Sequence, residues 1–227
     1  MKKHLLSRIA VLGLLAGFPL LMSPASVAQA PAPAPPPLIA PSLPPNVEVD
    51  LMTNPGSAMF GAQWKTMEAK IIEVPPIPEH LPGYNTAYDI APHAGEAGFD
   101  DSKWPVIEAK DLPARRGGGH VSFIWFRSNV TIPAKIGDFD TTGAKAVLTV
   151  AVDDYAEVWV NGQMPRAVGV PSPATIQGFN TPNRVVLSNS VKPGDKFQIA
   201  IFGVNGPISV APANTVWFRE ARLQFYK

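Results

Sequence analysis

In the second half of the chain, apolar and polar positions follow a strand-like pattern. Residues 146–152 and 156–160 are apolar runs on either side of the polar pair Asp153-Asp154, and the second run ends at Asn161-Gly162. β-branched and aromatic residues bounded by such turn chemistry predict two antiparallel strands, with Asn-Gly taking the positive φ angles of a tight hairpin. Residues 121–132 are apolar at both parities up to Pro133, which predicts a long strand covered on both faces. Further strands are expected over 183–187, 196–204 and 215–226, the first two separated by the turn Lys192-Pro193-Gly194-Asp195. Strands at this spacing, without a helical period or an internal repeat, predict an all-β antiparallel sandwich or jelly roll.

The first half is less regular. Residues 58–70 have helical character and 70–74 strand character, after which Pro75, Pro76, Pro78 and Pro82 prevent a long element. Residues 89–105 read as an ordered loop closing on a packed Trp104, and Arg115-Arg116-Gly117-Gly118-Gly119 as a mobile connection. Residues 31–45 (PAPAPPPLIAPSLPP) can form neither helix nor ladder and predict an extended spacer. Before them, Lys2, Lys3 and Arg8 precede an apolar segment and the small residues 26–30, the order of a secretory signal peptide. Cleavage is expected after Ala28, because a cut after Ala30 would leave Pro31 beyond the scissile bond. The domain organisation is therefore signal peptide 1–28, Pro-rich linker 29–45 and β-sandwich 46–227, in an exported, periplasmic or secreted protein.

The formal charge of the 227-residue chain is +1, from 19 Lys and Arg against 18 Asp and Glu. Removing residues 1–28 takes away three basic groups and no acidic ones, leaving 16 against 18, or −2. That balance offers nothing to nucleic acid or to an anionic membrane surface. With no cysteine there is neither a disulfide frame nor an acylated anchor, and a core of this size does not need one.

No nucleophile elbow, P-loop or zinc-helix motif occurs. Asp153 and Asp154 are the obvious carboxylate pair, but in an extended chain adjacent side chains point to opposite faces, so a turn is expected there and no catalytic residue. Arg127, in the long strand, needs a buried partner, and Asp153 or Asp154 is the expected one. Trp125 and Trp159 are expected in the core. Of the histidines, His93 with Asp89 or Glu96 could touch a cation only if the loop folds on itself.

Three stretches then line up with a known pattern. Phe123-Ile124-Trp125-Phe126-Arg127, Asp153-Asp154-Tyr155-Ala156-Glu157-Val158-Trp159-Val160-Asn161-Gly162 and Val191-Lys192-Pro193-Gly194-Asp195 together resemble the galactose-binding-like jelly roll at the N-terminus of family 2 glycoside hydrolases. A closer resemblance, also carried by residues 88–92, 99–104 and 183–187, is to the β-sandwich that precedes gluconolactonase-type β-propellers. It covers roughly residues 54–226. In those proteins catalysis sits in another domain, so the resemblance implies a non-catalytic carbohydrate-binding-type module, accessory to a separate sugar-lactone or glycan hydrolase. The alternative is a structural or protein-interaction domain of the cell envelope; a hydrolase ranks below both. Sugar recognition needs aromatic faces beside planar polar groups, and the loop residues of those types are Trp104, Arg115, Arg116, His120, Phe179, Asn180, Asn205 and Trp217. No cofactor and no metal site is expected. A structural calcium, which such jelly rolls sometimes hold, would use Asp100 and Asp101. The partner is a carbohydrate or a protein.

Overall fold

The computed structural model describes residues 40–76, 86–164, 182–205 and 213–227. The elements in chain order are β1 (Val47–Asp50), α1 (Asn54–Met59), β2 (Trp64–Glu68), β3 (Lys70–Val74), β4 (Ala87–Ala91), β5 (Val106–Ile107), a 3-10 turn (Ala109–Asp111), β6 (Ser122–Thr131), β7 (Lys135–Ile136), β8 (Phe139–Asp140), β9 (Lys145–Asp153), β10 (Tyr155–Val160), β11 (Asn183–Ser188), β12 (Lys196–Asn205) and β13 (Trp217–Tyr226). They form an all-β antiparallel sandwich. One sheet has the order β1-β13-β9-β11 and the other β10-β12-β6-β2-β5, with β3-β4 and β7-β8 as separate two-stranded ribbons.

Strand alternation explains the layers. Ile124, Phe126 and Val130 of β6, Val158 and Val160 of β10, and Ile199 and Ile201 of β12 point into the space between the sheets. They meet Leu148, Val150 and Val152 of β9 and Phe218, Leu223 and Phe225 of β13. Trp64 packs edge-on against Phe218 at 5.8 Å, and its indole N–H donates to the Leu51 carbonyl at 3.3 Å and to Ser57 Oγ at 3.0 Å. A buried Trp with its polar handle satisfied anchors β2 to the core.

The helical expectation for residues 58–70 is corrected. The helix is one short turn, starting at Thr53, whose Oγ1 accepts from the Gly56 amide at 3.1 Å, and the chain leaves it through Gly61 at φ 61°. From Trp64 the chain is strand, because pairing with β5 at Trp64 and with β6 from Lys65 places the Trp64 side chain in the core. The strand expected over 70–74 is β3.

A second correction concerns residues 145–162. β9 and β10 do not pair with each other: β9 lies in the four-stranded sheet and β10 in the five-stranded one. Asp153-Asp154 is the corner at which the chain crosses between sheets, with the Asp154 amide donating to the Val204 carbonyl at 3.0 Å. The hairpin signal at Asn161-Gly162 is real: φ is 50° and 79°, and Val160 and Gln163 exchange backbone bonds across it at 2.7 and 3.0 Å.

The segment 115–119 is tied in. Arg116 exchanges backbone hydrogen bonds with Val216 at 3.0 and 2.8 Å, and the Gly119 carbonyl accepts from the Asn214 amide at 3.0 Å. Among the described residues no helix is long and apolar enough to cross a membrane.

Candidate functional site

The outer face of the five-stranded sheet carries a second apolar layer. The register places Glu157, Phe202, Trp125 and Met67 in one row across β10, β12, β6 and β2, and Trp159, Ala200, Arg127 and Lys65 in the next. Trp125 and Phe202 lie 4.9 Å apart, and both are buried, as is Trp104. This layer is covered by residues 87–104. Phe99 and Trp104 pack edge to face at 5.3 Å, and Ala94, Trp104, Trp125, Ala200 and Phe202 form a cluster separate from the inter-sheet core. The two-faced apolar pattern of residues 121–132 thus arises because both faces of β6 are covered.

Arg127 pins this cover. Its Nε donates to Asp101 Oδ2 at 2.8 Å, its other nitrogens reach the carbonyls of Ala94, Glu96 and Phe99, and the guanidinium lies 5.2 Å from the Phe99 ring centroid. Lys65 Nζ donates to the second oxygen of Asp101, also at 2.8 Å. The expected pairing of Arg127 with Asp153 or Asp154 is therefore replaced by Asp101, because Arg127 points outward from β6 while the Asp pair lies at the crossover corner. Burial alone would raise the Asp101 carboxyl, but hydrogen bonds from Lys65 and Arg127 outweigh it and hold it below the ordinary carboxylate value. Asp100 caps the following turn by accepting from the Ser102 amide at 2.9 Å. With both oxygens of Asp101 given to cations, this pair is built as an anchor. Among the described residues no group of three or more His, Asp or Glu could hold a metal ion.

Between the cover and the sheet lies a cavity of about 270 Å³. Its floor is Trp125, Trp159 and Phe202; Ile90, Pro92 and Gly95 line it, and Asp89, His93, Glu96 and Glu157 supply the polar groups. Trp159, expected in the core, points outward from β10 and is half-buried, because Val158 and Val160 take the inward positions. Its indole N–H donates to Glu157 Oε2 at 3.3 Å. Gly95 lies against its ring, so that a Cβ there would come within 2.6 Å of the indole. Gly162 is held as closely: a Cβ would be 2.6 Å from the Ala97 amide nitrogen. His93 Nε2 lies 2.8 Å from Asp89 Oδ2 and its Nδ1 3.6 Å from Glu96 Oε1. The Asp89 hydrogen bond, then its charge, raises the imidazole above its ordinary value, and the hydrogen bond from His93 in turn lowers Asp89.

The loop residues expected to bind sugar gather elsewhere. Arg115 and Arg219 place their guanidiniums 4.7 and 4.3 Å from the Trp217 ring centroid. Trp217 is paired in register with Asp153. Burial raises the Asp153 carboxyl, and the hydrogen bond and charge of Asp154 raise it further, against the opposing pull of Arg219 and Arg115. The two carboxyl groups thus meet, because the chain at this corner is not extended. Arg116 donates to the carbonyls of Leu112, Ala114 and Asp111 at 2.9, 2.7 and 2.8 Å and closes the turn before it. Asn205 donates to the Thr215 carbonyl at 2.7 Å, and the exposed His120 offers its carbonyl to Asn214 at 3.0 Å. Trp104 is buried under the cover. Phe179 and Asn180 lie outside the described residues. The corner is packed on itself, and the cavity is built from other residues. Of the residues that line the cavity, Glu157 and Phe202 are not among the sequence candidates. The signal was present: Glu157 and Trp159 share a parity opposite to Val158, so both must face outward.

No protein-family model matches the chain, and no curated protein matches it. Among solved structures, the chain is similar to β-glucuronidase 2 of Bacteroides uniformis (a calcium-binding mutant), at 19% identity and a TM-score of 0.41 over 72% of this chain and 18% of that one. It is also similar to the β-glucuronidases of Faecalibacterium prausnitzii (14%, TM-score 0.41, 83% and 32%) and of an uncultured Clostridium sp. (13%, TM-score 0.31, 73% and 29%). The chain thus spans 18–32% of the length of these proteins.

Proposed function

We propose that the chain is an exported, non-catalytic carbohydrate-binding module of the galactose-binding-like type, accessory to a glycan or sugar-lactone hydrolase. The observation that carries this reading is the outer-face cavity, an aromatic floor of Trp125, Trp159 and Phe202 beside carboxylates that accept hydrogen bonds from hydroxyl groups. At about 270 Å³ it lies just below the ~300 Å³ at which drug-sized sites begin, a size suited to a single sugar ring. Binding is assigned to this cavity and not to the Trp217 corner, where the aromatic face is already occupied by guanidinium groups. Calorimetric titration of the purified protein with monosaccharides and a glycan array test it. Binding that is lost on Trp159→Ala supports it, and the absence of binding to any sugar overturns it.

A second reading, a protein-interaction domain, is favoured by the β3-β4 ribbon, which leaves Ile71, Ile72 and Tyr88 exposed. Retention of a defined envelope protein by the wild type and not by Ile71→Ser/Ile72→Ser would support it. A monomer that retains no partner would contradict it.

A further inference from the structure

Among the described residues, the lining of the cavity holds more acidic than basic groups. Asp89, Glu96 and Glu157 present carboxylates; the one basic group among the described lining residues, His93, lies between Asp89 and Glu96 and offsets one of the three. The two cations in the outer-face rows, Arg127 and Lys65, are directed to Asp101 at 2.8 Å each and do not offset the remaining negative charge, which falls to Glu157. Glu157 uses Oε2 for the Trp159 indole, and its Oε1 has no hydrogen-bond partner among the described residues. The floor adds to the same field, since the faces of Trp and Phe rings carry the negative part of their quadrupole and attract a cation. A neutral ring fits such a site, an anionic one is repelled by it, and a ring bearing an ammonium group satisfies it.

Resting on the sugar-binding reading of this cavity, we propose that its ligand is an amino sugar with a free, protonated amine. The ammonium group is held by Glu157, with Asp89 and Glu96 completing the negative rim, and the apolar face of the ring lies on the aromatic floor. Three monosaccharides differing in charge isolate the claim: glucosamine, N-acetylglucosamine and glucuronate, titrated calorimetrically into the purified protein at pH 6, where the free amine is charged. Glucosamine is expected to bind about two- to fivefold more tightly than N-acetylglucosamine, the size of a modest ion-pair contribution, with glucuronate weakest. In Glu157→Gln the ratio between the first two is expected to fall toward one. Equal affinities, or glucuronate binding most tightly, overturn the amino-sugar assignment while leaving the sugar-binding reading intact. No binding of any of the three overturns the amino-sugar assignment, and the sugar-binding reading falls with it only if the glycan array is also blank.

Discussion

At Arg127 a guanidinium that is only 3% exposed is neutralised by a carboxylate 26 residues earlier in the chain. Removing one partner of such a pair leaves a buried charge uncompensated, which costs about 3 kcal/mol or more. Asp101→Ala is therefore expected to lose about 3 kcal/mol in denaturant unfolding and to loosen residues 87–104. Because the Asp101 carboxyl is held below its unfolded value, the native state binds its proton less readily than the unfolded chain does. The pair's contribution is present above pH ~3.9 and is lost as pH falls through the lower folded value. Asp153 has the opposite sign. Its raised carboxyl makes ionisation costly in the folded state, so stability falls as pH rises from ~3.9 through the folded value. Asp153→Asn is expected to be more stable than the wild type at pH 7, and that advantage is expected to vanish below pH ~4 in parallel melts. At the cavity rim, the His93 imidazole is expected to titrate above ~6.5 by NMR and to move back toward that value in Asp89→Asn. The requirement that Arg127 have a carboxylate was legible in the sequence. Which carboxylate was not, because the partner lies in a loop that only the fold brings over the strand.

At the scale of elements, the site depends on how closely residues 92–104 approach the sheet. Gly95 lies against the Trp159 ring and Gly162 against Ala97, both at distances that admit no Cβ. Gly95→Ala is expected to cost about 1–3 kcal/mol by overpacking and to displace the cover, seen as a change in tryptophan fluorescence and a loss of sugar affinity. The main strands of the second half were legible because they are rich in β-branched and aromatic residues and bounded by turn residues, whereas the two-residue strands β7 and β8 were not. β1 and β2 were not, since each has only four or five residues, and β2 follows a helical turn within a stretch whose composition suits a helix. The crossover at Asp153-Asp154 was misread for a physical reason: a corner between sheets and a hairpin turn use the same polar residues, and pairing partners alone distinguish them.

For the molecule as a whole, the two sheet faces that do not meet have different characters. The outer face of the four-stranded sheet carries a polar network in which Arg184 donates to the Pro41 carbonyl at 2.6 Å and to the Tyr226 hydroxyl at 2.7 Å, and Arg222 reaches Glu48 at 2.6 Å. The outer face of the five-stranded sheet carries the aromatic layer, its cover and the cavity. That asymmetry was legible as two-sided apolarity in residues 121–132, yet the aromatic residues there read equally well as core, whereas loop residues such as those at the Trp217 corner carry the more obvious sugar-binding composition. Five tryptophans report on the difference, since each gives one indole N–H resonance. The measurement that tests the central claim is an NMR titration of these resonances with glucosamine. The signals of Trp159 and Trp125 are predicted to shift saturably while those of Trp64 and Trp217 stay in place. Shifts confined to Trp217, or no saturable shift at any indole, would contradict the assignment of the cavity as the binding site.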